Sequence, residues 1–218
     1  MKRLIFLLFP LTILSENIQF YEGPSDKSDD AFQSWWQTFQ QVRDEAYNNL
    51  DLSIYDVEEI KWARTSFIQP QVMVHERSHI CLNISENFTH IFRTLYDRET
   101  STWTVDKYLA DVRSRYGGID SVLLWASYPN IGTDDRNQFD MLEDLPGGLE
   151  ALREAVDQFH AQGVKVLLPY NPWDQGTRNV CVADYEKLVD QIVQTNADGF
   201  NGDVMDGVNQ TYWDEGIR

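Results

Sequence analysis

Residues 163–171 have the sequence GVKVLLPYN, and residues 197–207 have the sequence ADGFNGDVMDG. In the first stretch, residues 164–168 are apolar except for Lys165. Such a run is typical of a strand buried on both faces of a parallel sheet. A similar run, VLLWA, lies upstream at residues 122–126. The second stretch predicts a further strand that opens at Gly199. Three strands are therefore predicted one after another in this part of the chain.

Segments with apolar residues at helical spacing flank these strands. Their apolar positions are Tyr108, Leu109, Val112 and Tyr116; Leu149, Leu152, Val156 and Phe159; and Tyr185, Leu188, Val189, Ile192 and Val193. A fourth strand is predicted within residues 66–75, starting or kinking at Pro70. Strands that alternate with helices predict parallel βαβ units with right-handed crossovers. The expected fold class is α/β, with about four parallel strands preceded by an N-terminal helix.

The N-terminal residues resemble a targeting segment. Residues 1–15 combine a basic start at Lys2 and Arg3, a short apolar region and a small residue at Ser15, as a secretory signal peptide does. The alternative is an uncleaved anchor, although about eleven apolar residues are too few to span a bilayer as a helix. A cleaved signal predicts a protein that is secreted or resides in the lumen of the secretory pathway, with no membrane association after signal removal.

Residues 16–60 are expected to form a flexible lead followed by an amphipathic helix within residues 31–50. The helix pattern includes Trp35 and Trp36, which are interpreted as core anchors, with a sugar-binding platform as the alternative. The remaining chain, residues 61–218, is expected to be the main domain.

Residues 77–97 interrupt the pattern, because they show neither a helical nor a strand period. They are expected to be an inserted loop or a retained intron. This stretch contains Cys81, which could pair with Cys181 in an oxidising compartment. Together with a signal peptide, the three Asn-x-Ser/Thr sequons at Asn83, Asn87 and Asn209 predict N-glycosylation.

The chain is strongly acidic, with a formal net charge of −17 over 218 residues. Such a charge disfavours a nucleic-acid backbone or an anionic membrane as a partner. No phosphate-binding glycine motif follows the early strands, which lowers the expectation of a dinucleotide or P-loop fold. No cofactor and no metal are predicted.

Polar and aromatic residues follow the predicted strands, where parallel sheets build their sites. The candidate substrate-binding residues are Tyr128, Asn130, Asn171, Trp173, Asp174, Asn201 and Asp206. Amides, carboxylates and aromatic rings at one rim match the needs of a sugar: hydrogen bonds to hydroxyls and an apolar face for stacking. Other residues on this rim have plainer interpretations, Asp134 and Asp135 as turn residues and His75 as a structural histidine.

Asp203 is the predicted catalytic residue. Strand alternation places Asn201 and Asp203 on one face of the last strand and Phe200 and Val204 on the other. A carboxylate that faces the interior is costly unless it is hydrogen-bonded or functional. A metal shared by Asp203 and Asp206 is not favoured, since no clustered ligand set accompanies them.

Residues 163–171 and the segment ADGFNGD at 197–203 resemble the third and fourth strands of (β/α)₈ TIM-barrel glycoside hydrolases of the alpha-amylase and melibiase type. The resemblance covers residues 119–207 and implies that Asp203 corresponds to the nucleophilic aspartate and Asn171 to the loop asparagine. The arginine that alpha-amylases carry two residues before this aspartate is Asn201 here.

The resemblance implies a partial TIM barrel, the N-terminal half of a glycoside hydrolase that cleaves O-glycosidic bonds of a carbohydrate. A barrel of this type takes about 250 residues, so the expectation is a fragment whose missing C-terminal half, beyond Arg218, carries the proton donor. Two alternatives remain: an inactive carbohydrate-binding or structural remnant, and a barrel hydrolase of an amide or ester bond.

Overall fold

The computed structural model describes residues 5–6, 23, 26, 28–48, 56–74, 94–97, 99–127, 130–204 and 211–212. The helices in this part of the chain are α1 (Asp29–Asn48), α2 (Val105–Tyr116), α3 (Gln138–Glu143), α4 (Gly148–Ala161) and α5 (Asp184–Thr195), with a 3-10 helix at Glu58–Thr65. The strands are β1 (Ile5–Phe6), β2 (Gln71–Met73), β3 (Tyr96–Asp97), β4 (Thr102–Trp103), β5 (Ser121–Trp125), β6 (Lys165–Tyr170) and β7 (Gly199–Gly202).

Four parallel strands, β2, β5, β6 and β7, lie side by side in the order in which they occur along the chain. Val72 pairs with Leu124, Val122 with Val166, and Leu168 with Phe200. The two-residue strand β1 adds to the outer edge of β7, and β3 and β4 form a separate antiparallel pair. The predicted mixed α/β fold with a parallel sheet is therefore confirmed.

The main hydrophobic core lies between this sheet and one layer of helices. Alternate strand positions such as Leu124, Leu168 and Phe200 share a buried cluster with residues of α2, α3, α4 and α5. Phe159 of α4 is fully buried there. Right-handed crossovers between strands that advance in one direction place every connecting helix on the same side of a sheet, which explains this one-sided arrangement.

The opposite face of the sheet carries a smaller cluster. Leu123, Trp125 and Leu167 alternate with the helix-facing residues and pack with Trp62 and Met73. Because Trp62 belongs to the 3-10 helix, the segment that precedes β2 covers part of this face. The two faces of the sheet therefore have different partners.

The structure departs from the predicted elements in two places. The polar stretch 130–140 predicts a long loop, but residues 138–143 form helix α3. Asn137 and Asp140 make a capping box at its start, in which each side chain accepts a hydrogen bond from the other residue's backbone N–H. The prediction that Val204 continues the last strand is wrong: β7 ends at Gly202, and Val204 is 79% exposed with a φ of 56°.

Helix α1 has the predicted amphipathic pattern without the predicted burial. Trp35 stacks on Phe39 with ring centroids 5.4 Å apart, but Trp36 is 37% exposed. The core-anchor interpretation is therefore wrong for Trp36. Aromatic side chains of this helix contact one another, and none of them belongs to either buried cluster of the described residues.

Some predictions fall on other parts of the chain. His75, Cys81, Tyr128, Asp206 and the three sequon asparagines Asn83, Asn87 and Asn209 lie outside the described residues, as does most of the segment 77–97. At the end of that segment, Leu95 is fully buried in the main core. Cys181 is exposed and forms no disulfide with a described residue. Within the described ranges, no helix combines the length and apolar character that crossing a bilayer requires.

Candidate functional site

Three side chains meet where adjacent parallel strands end. Ser127 lies two residues after β5, Asn171 directly follows β6, and Asp203 directly follows β7. Each continues the alternation of the sheet face that is opposite the helices, the face of Leu123, Trp125 and Leu167. The backbone N–H of Asp203 donates to Tyr170 O at 2.8 Å, so the ladder between β6 and β7 extends to this position.

The Asp203 carboxylate is held through one oxygen. Its Oδ2 accepts hydrogen bonds from the indole Nε1 of Trp173 at 2.9 Å and from Asn171 Nδ2 at 3.4 Å. Its Oδ1 has no hydrogen-bond partner among the described residues. Asp203 is half-buried, whereas Trp173 is 39% exposed. The site therefore presents an oriented carboxylate oxygen beside an accessible aromatic ring.

Asn171 is fixed from several sides. It is fully buried, and Ser127 Oγ donates to its Oδ1 at 2.7 Å. The side-chain amide of Gln138, the first residue of α3, accepts from the Asn171 N–H at 2.6 Å and donates to the Asn171 carbonyl at 2.8 Å. Gln138 thus pairs with the Asn171 backbone much as a neighbouring strand would.

The loops after β5 and β6 are tied together around this point. Asp174 accepts from the Gln138 N–H at 2.8 Å through Oδ2 and from Thr177 Oγ1 at 2.6 Å through Oδ1. Arg178 forms an ion pair with Asp140 of α3 at 2.6 Å. Because side chains of each loop bond to the other, the rim that carries Asn171 and Trp173 is a connected polar network.

The structure thus joins three of the predicted site residues, Asp203, Asn171 and Trp173, by direct hydrogen bonds. Asn201 is a half-buried residue of β7 that pairs with Pro169. Asn130 lies in the turn after β5, where its backbone N–H donates to Ser127 O at 2.8 Å. Asp174 fixes loop geometry, as its two hydrogen bonds show. Tyr128 and Asp206 lie outside the described residues.

Asp134 and Asp135 lie in the bend before α3. Asp134 accepts from the Arg136 N–H at 3.1 Å and forms an ion pair with the Arg136 guanidinium at 2.9 Å. The Arg178 N–H donates to the Asp135 carbonyl at 2.8 Å. Both aspartates therefore belong to loop structure near the rim.

Sequence reasoning missed Ser127 and Gln138, although both carried a signal. Ser127 continues the alternation of the VLLWA run on the face opposite the helices. Gln138 follows Asn137, whose capping box with Asp140 matches the spacing that starts a helix. A polar residue at a strand end and a polar residue at a helix start are both candidates for the same rim.

A second polar cluster lies at the opposite end of the strands. Asp198, 8% exposed, contacts His160 Nε2 at 2.6 Å and Lys165 Nζ at 2.7 Å and accepts from the Val166 N–H at 2.8 Å. Burial raises the pKa of the Asp198 carboxyl, but the hydrogen bonds from these three donors outweigh it and hold the pKa below its usual value. This geometry supports a structural role for the cluster: it stabilises the amino-terminal end of the sheet and is not placed for catalysis.

The chemistry that this site can support centres on the Asp203 carboxylate. Within the described residues, no group of three or more histidine, cysteine, aspartate or glutamate side chains is arranged to hold a metal ion. The donors around Asp203 are neutral N–H groups, which bind and orient a carboxylate without neutralising it.

Comparison with known proteins adds no relative: no protein-family model matches the chain, and a search of curated proteins finds no match.

Proposed function

We propose that this chain is part of a (β/α)₈ barrel that binds a carbohydrate and, in the complete site, hydrolyses its glycosidic bond. Two features of the sheet support the barrel. The strands β2, β5, β6 and β7 are parallel and follow chain order, and the helices between them share one face. A doubly wound sheet reverses its strand order and carries helices on both faces, whereas a barrel keeps its helices outside.

The observation that carries the functional proposal is the hydrogen-bonded state of Asp203. Two N–H donors hold Oδ2, and Oδ1 faces no hydrogen-bond donor in the described part of the chain. A nucleophilic carboxylate needs this combination, because one oxygen must be oriented while the other approaches the anomeric carbon. In this proposal Oδ1 is the reacting oxygen.

Trp173 supports a sugar as the ligand. Its indole N–H donates to Asp203 Oδ2, and 39% of the residue is exposed. A pyranose ring presents C–H groups on one face and hydroxyls at its edge, so an aromatic face beside a carboxylate and an amide suits it.

The presence of asparagine instead of arginine at position 201 is compatible with Asp203 as the reacting carboxylate. The donors that orient Asp203 come from the loop after β6, from Asn171 and Trp173, and not from the strand position two residues earlier. Hydrogen bonds from neutral N–H groups stabilise an ionised carboxylate as a neighbouring cation does, although less strongly.

The proposal places the proton donor outside the described residues. Asp174 is the next carboxylate of this rim, but both of its oxygens accept hydrogen bonds that fix the loop. Because both Asp174 oxygens are engaged in the loop, this residue supplies no second free carboxylate, which favours the competing function, carbohydrate binding without cleavage. Covalent labelling of Asp203 separates the two functions.

The test uses 2,4-dinitrophenyl 2-deoxy-2-fluoroglycosides of the α and β gluco, galacto and manno series. The dinitrophenolate leaves without protonation, so a nucleophile is detected even where no proton donor acts. We expect one fluoroglycosyl group to attach to the peptide that contains Asp203, measured by mass spectrometry after digestion. The Asp203→Asn variant loses this label, because an amide is a poor nucleophile.

Asp174→Asn is the matched control, a carboxylate change on the same rim, and it should retain the label. A label on another carboxylate would overturn the assignment of Asp203. If no reagent labels the protein but the corresponding free sugars quench the fluorescence of Trp173, measured against Trp173→Phe, the binding function replaces the hydrolytic one. With neither label nor quenching, both carbohydrate functions are wrong.

A further inference from the structure

Ser127, Asn171 and Asp203 form a hydrogen-bonded chain across three adjacent strands. Ser127 Oγ donates to Asn171 Oδ1 at 2.7 Å, and Asn171 Nδ2 donates to Asp203 Oδ2 at 3.4 Å. Ser127 and Asn171 are both fully buried, so bulk solvent does not reach their side chains. The chain begins in the interior and ends at the half-buried carboxylate.

The direction of the chain follows from what each group can donate. An ionised carboxylate only accepts, so the Asn171 amide must present Nδ2 to Asp203. Its Oδ1 then faces Ser127, whose hydroxyl supplies the proton. With the amide reversed, Oδ1 would face the carboxylate, and two acceptors would repel each other. The carboxylate of Asp203 therefore sets which way the amide is turned, and Ser127, whose hydroxyl donates to Oδ1, holds the amide in that rotation.

Gln138 completes the support without choosing the orientation. Its two hydrogen bonds engage the Asn171 backbone and hold the main chain in place. The Asn171 side chain can still rotate about its last bond when the backbone is fixed. The hydrogen bond from Asn171 to Asp203, at 3.4 Å, is longer than the one from Ser127 to Asn171, at 2.7 Å. The shorter bond therefore contributes more to holding the Asn171 amide in its orientation.

We propose that Ser127 is a positioning residue for Asp203: its hydroxyl orients the Asn171 amide, which holds Oδ2 and leaves Oδ1 directed at substrate. This inference rests on the proposed role of Asp203 as the reacting carboxylate. Ser127 itself contacts only Asn171 in this chain of bonds, so it acts through the amide.

The first experiment needs no substrate. Because Trp173 Nε1–H and Asn171 Nδ2 donate to the same oxygen, the indole N–H resonance of Trp173 reports the position of the carboxylate. We expect Ser127→Ala to shift this resonance in the ¹H–¹⁵N spectrum of the full chain toward its position in Asp203→Asn. In Ser127→Ala, the nuclear Overhauser effect between the Trp173 indole proton and the Asn171 side-chain amide protons should weaken or disappear.

The matched control is Ser121→Ala. Ser121 is also fully buried, lies at the other end of β5, and donates to a side-chain amide, Gln69 Oε1, at 3.1 Å. It should lower stability to a similar degree and leave the Trp173 resonance unchanged. An unmoved resonance in Ser127→Ala, or an equal shift in both variants, would overturn the proposal. Should Ser127→Ala fail to fold, Ser127→Cys, whose thiol is a much weaker donor than the hydroxyl, should shift the resonance in the same direction by a smaller amount, and an unmoved resonance would again overturn the proposal.

The second experiment measures the labelling rate with the fluoroglycoside that labels the wild type. Ser127→Ala should label about tenfold more slowly, the effect of losing roughly one oriented hydrogen bond, while Ser121→Ala labels at the wild-type rate. An unchanged rate in Ser127→Ala would contradict the positioning role. If the wild type takes up no label, the proposed function fails, and the resonance comparison still decides whether Ser127 orients Asn171.

Discussion

Replacing Asp198 by Asn tests the polar cluster at the amino end of the sheet. The carboxylate is almost completely buried and bonds to His160, Lys165 and the Val166 N–H. Removing one partner of a buried ion pair typically costs about 3–5 kcal/mol. The side chains of His160 and Lys165 are 25% and 32% exposed, so water partly compensates them after the change. We therefore expect a loss of about 3 kcal/mol in the free energy of unfolding.

Urea denaturation followed by tryptophan fluorescence provides the measurement, with the loss appearing as a lower midpoint at an unchanged m value. Asp111→Asn is the control, because its ion pair with Arg115 spans one helical turn at the surface and contributes about 0.3–0.5 kcal/mol. If Asp198→Asn destabilises no more than Asp111→Asn, the stabilising role of the buried cluster is refuted.

The pH dependence of stability shows independently whether the ionised Asp198 carboxylate stabilises or destabilises the fold. Because the folded-state pKa of Asp198 lies below its unfolded value, the carboxylate stabilises the fold at pH values above the unfolded pKa, about 3.9. That contribution is lost as the pH falls through the folded pKa. The stability difference between the wild type and Asp198→Asn should therefore narrow below about pH 4.

Three further changes probe the helix side of the sheet, each by the same urea assay. Gly147 has a φ of 81°, and a Cβ there would lie 2.5 Å from Ala151 Cβ, so Gly147→Ala should cost about 2–4 kcal/mol. Gly163→Ala, at a φ of 76° with open space, should cost about 1–2 kcal/mol, and equal losses would contradict the steric argument. Tyr170→Phe removes a buried hydroxyl bonded to Tyr212 at 2.7 Å and should cost about 1–2 kcal/mol; no loss would mean that the bond is not formed in solution.

The sheet was the most predictable part of the molecule. The runs at residues 122–126 and 166–168 are apolar at consecutive positions, and only a strand covered on both faces buries all of them. Helix α4 was equally clear, because Leu152, Val156 and Phe159 recur at helical spacing and are fully buried in the structure.

The site was predictable in its residue types and only partly in its contacts. Asn171 and Asp203 could be placed at neighbouring strand ends from the parallel topology. Which of the rim residues bond to each other depends on loop conformation, and Asp174 shows this, since its carboxylate turns toward the start of α3. Ser127 is a small residue at the end of a core strand, and its role depends on the hydrogen bond to Asn171, a contact that the sequence does not show.

Helix α3 and Trp36 mark two limits of pattern reasoning. Six residues give less than two turns, too few for a periodic apolar signal, so only the capping box could reveal α3. For Trp36, the helical pattern was present, but a pattern identifies the apolar face of a helix without identifying what covers it.

The sequential order of the four parallel strands also bears on how the chain folds. Each strand pairs with the next one along the chain, and each intervening helix packs beside those pairs. Apart from the pairing of β1 with β7, each strand pairing closes only the loop between consecutive strands of this set, so the entropy lost in closing each loop is modest. Such a sheet can grow one strand and helix at a time, and the amino-terminal units can gain structure while later residues are still being synthesised.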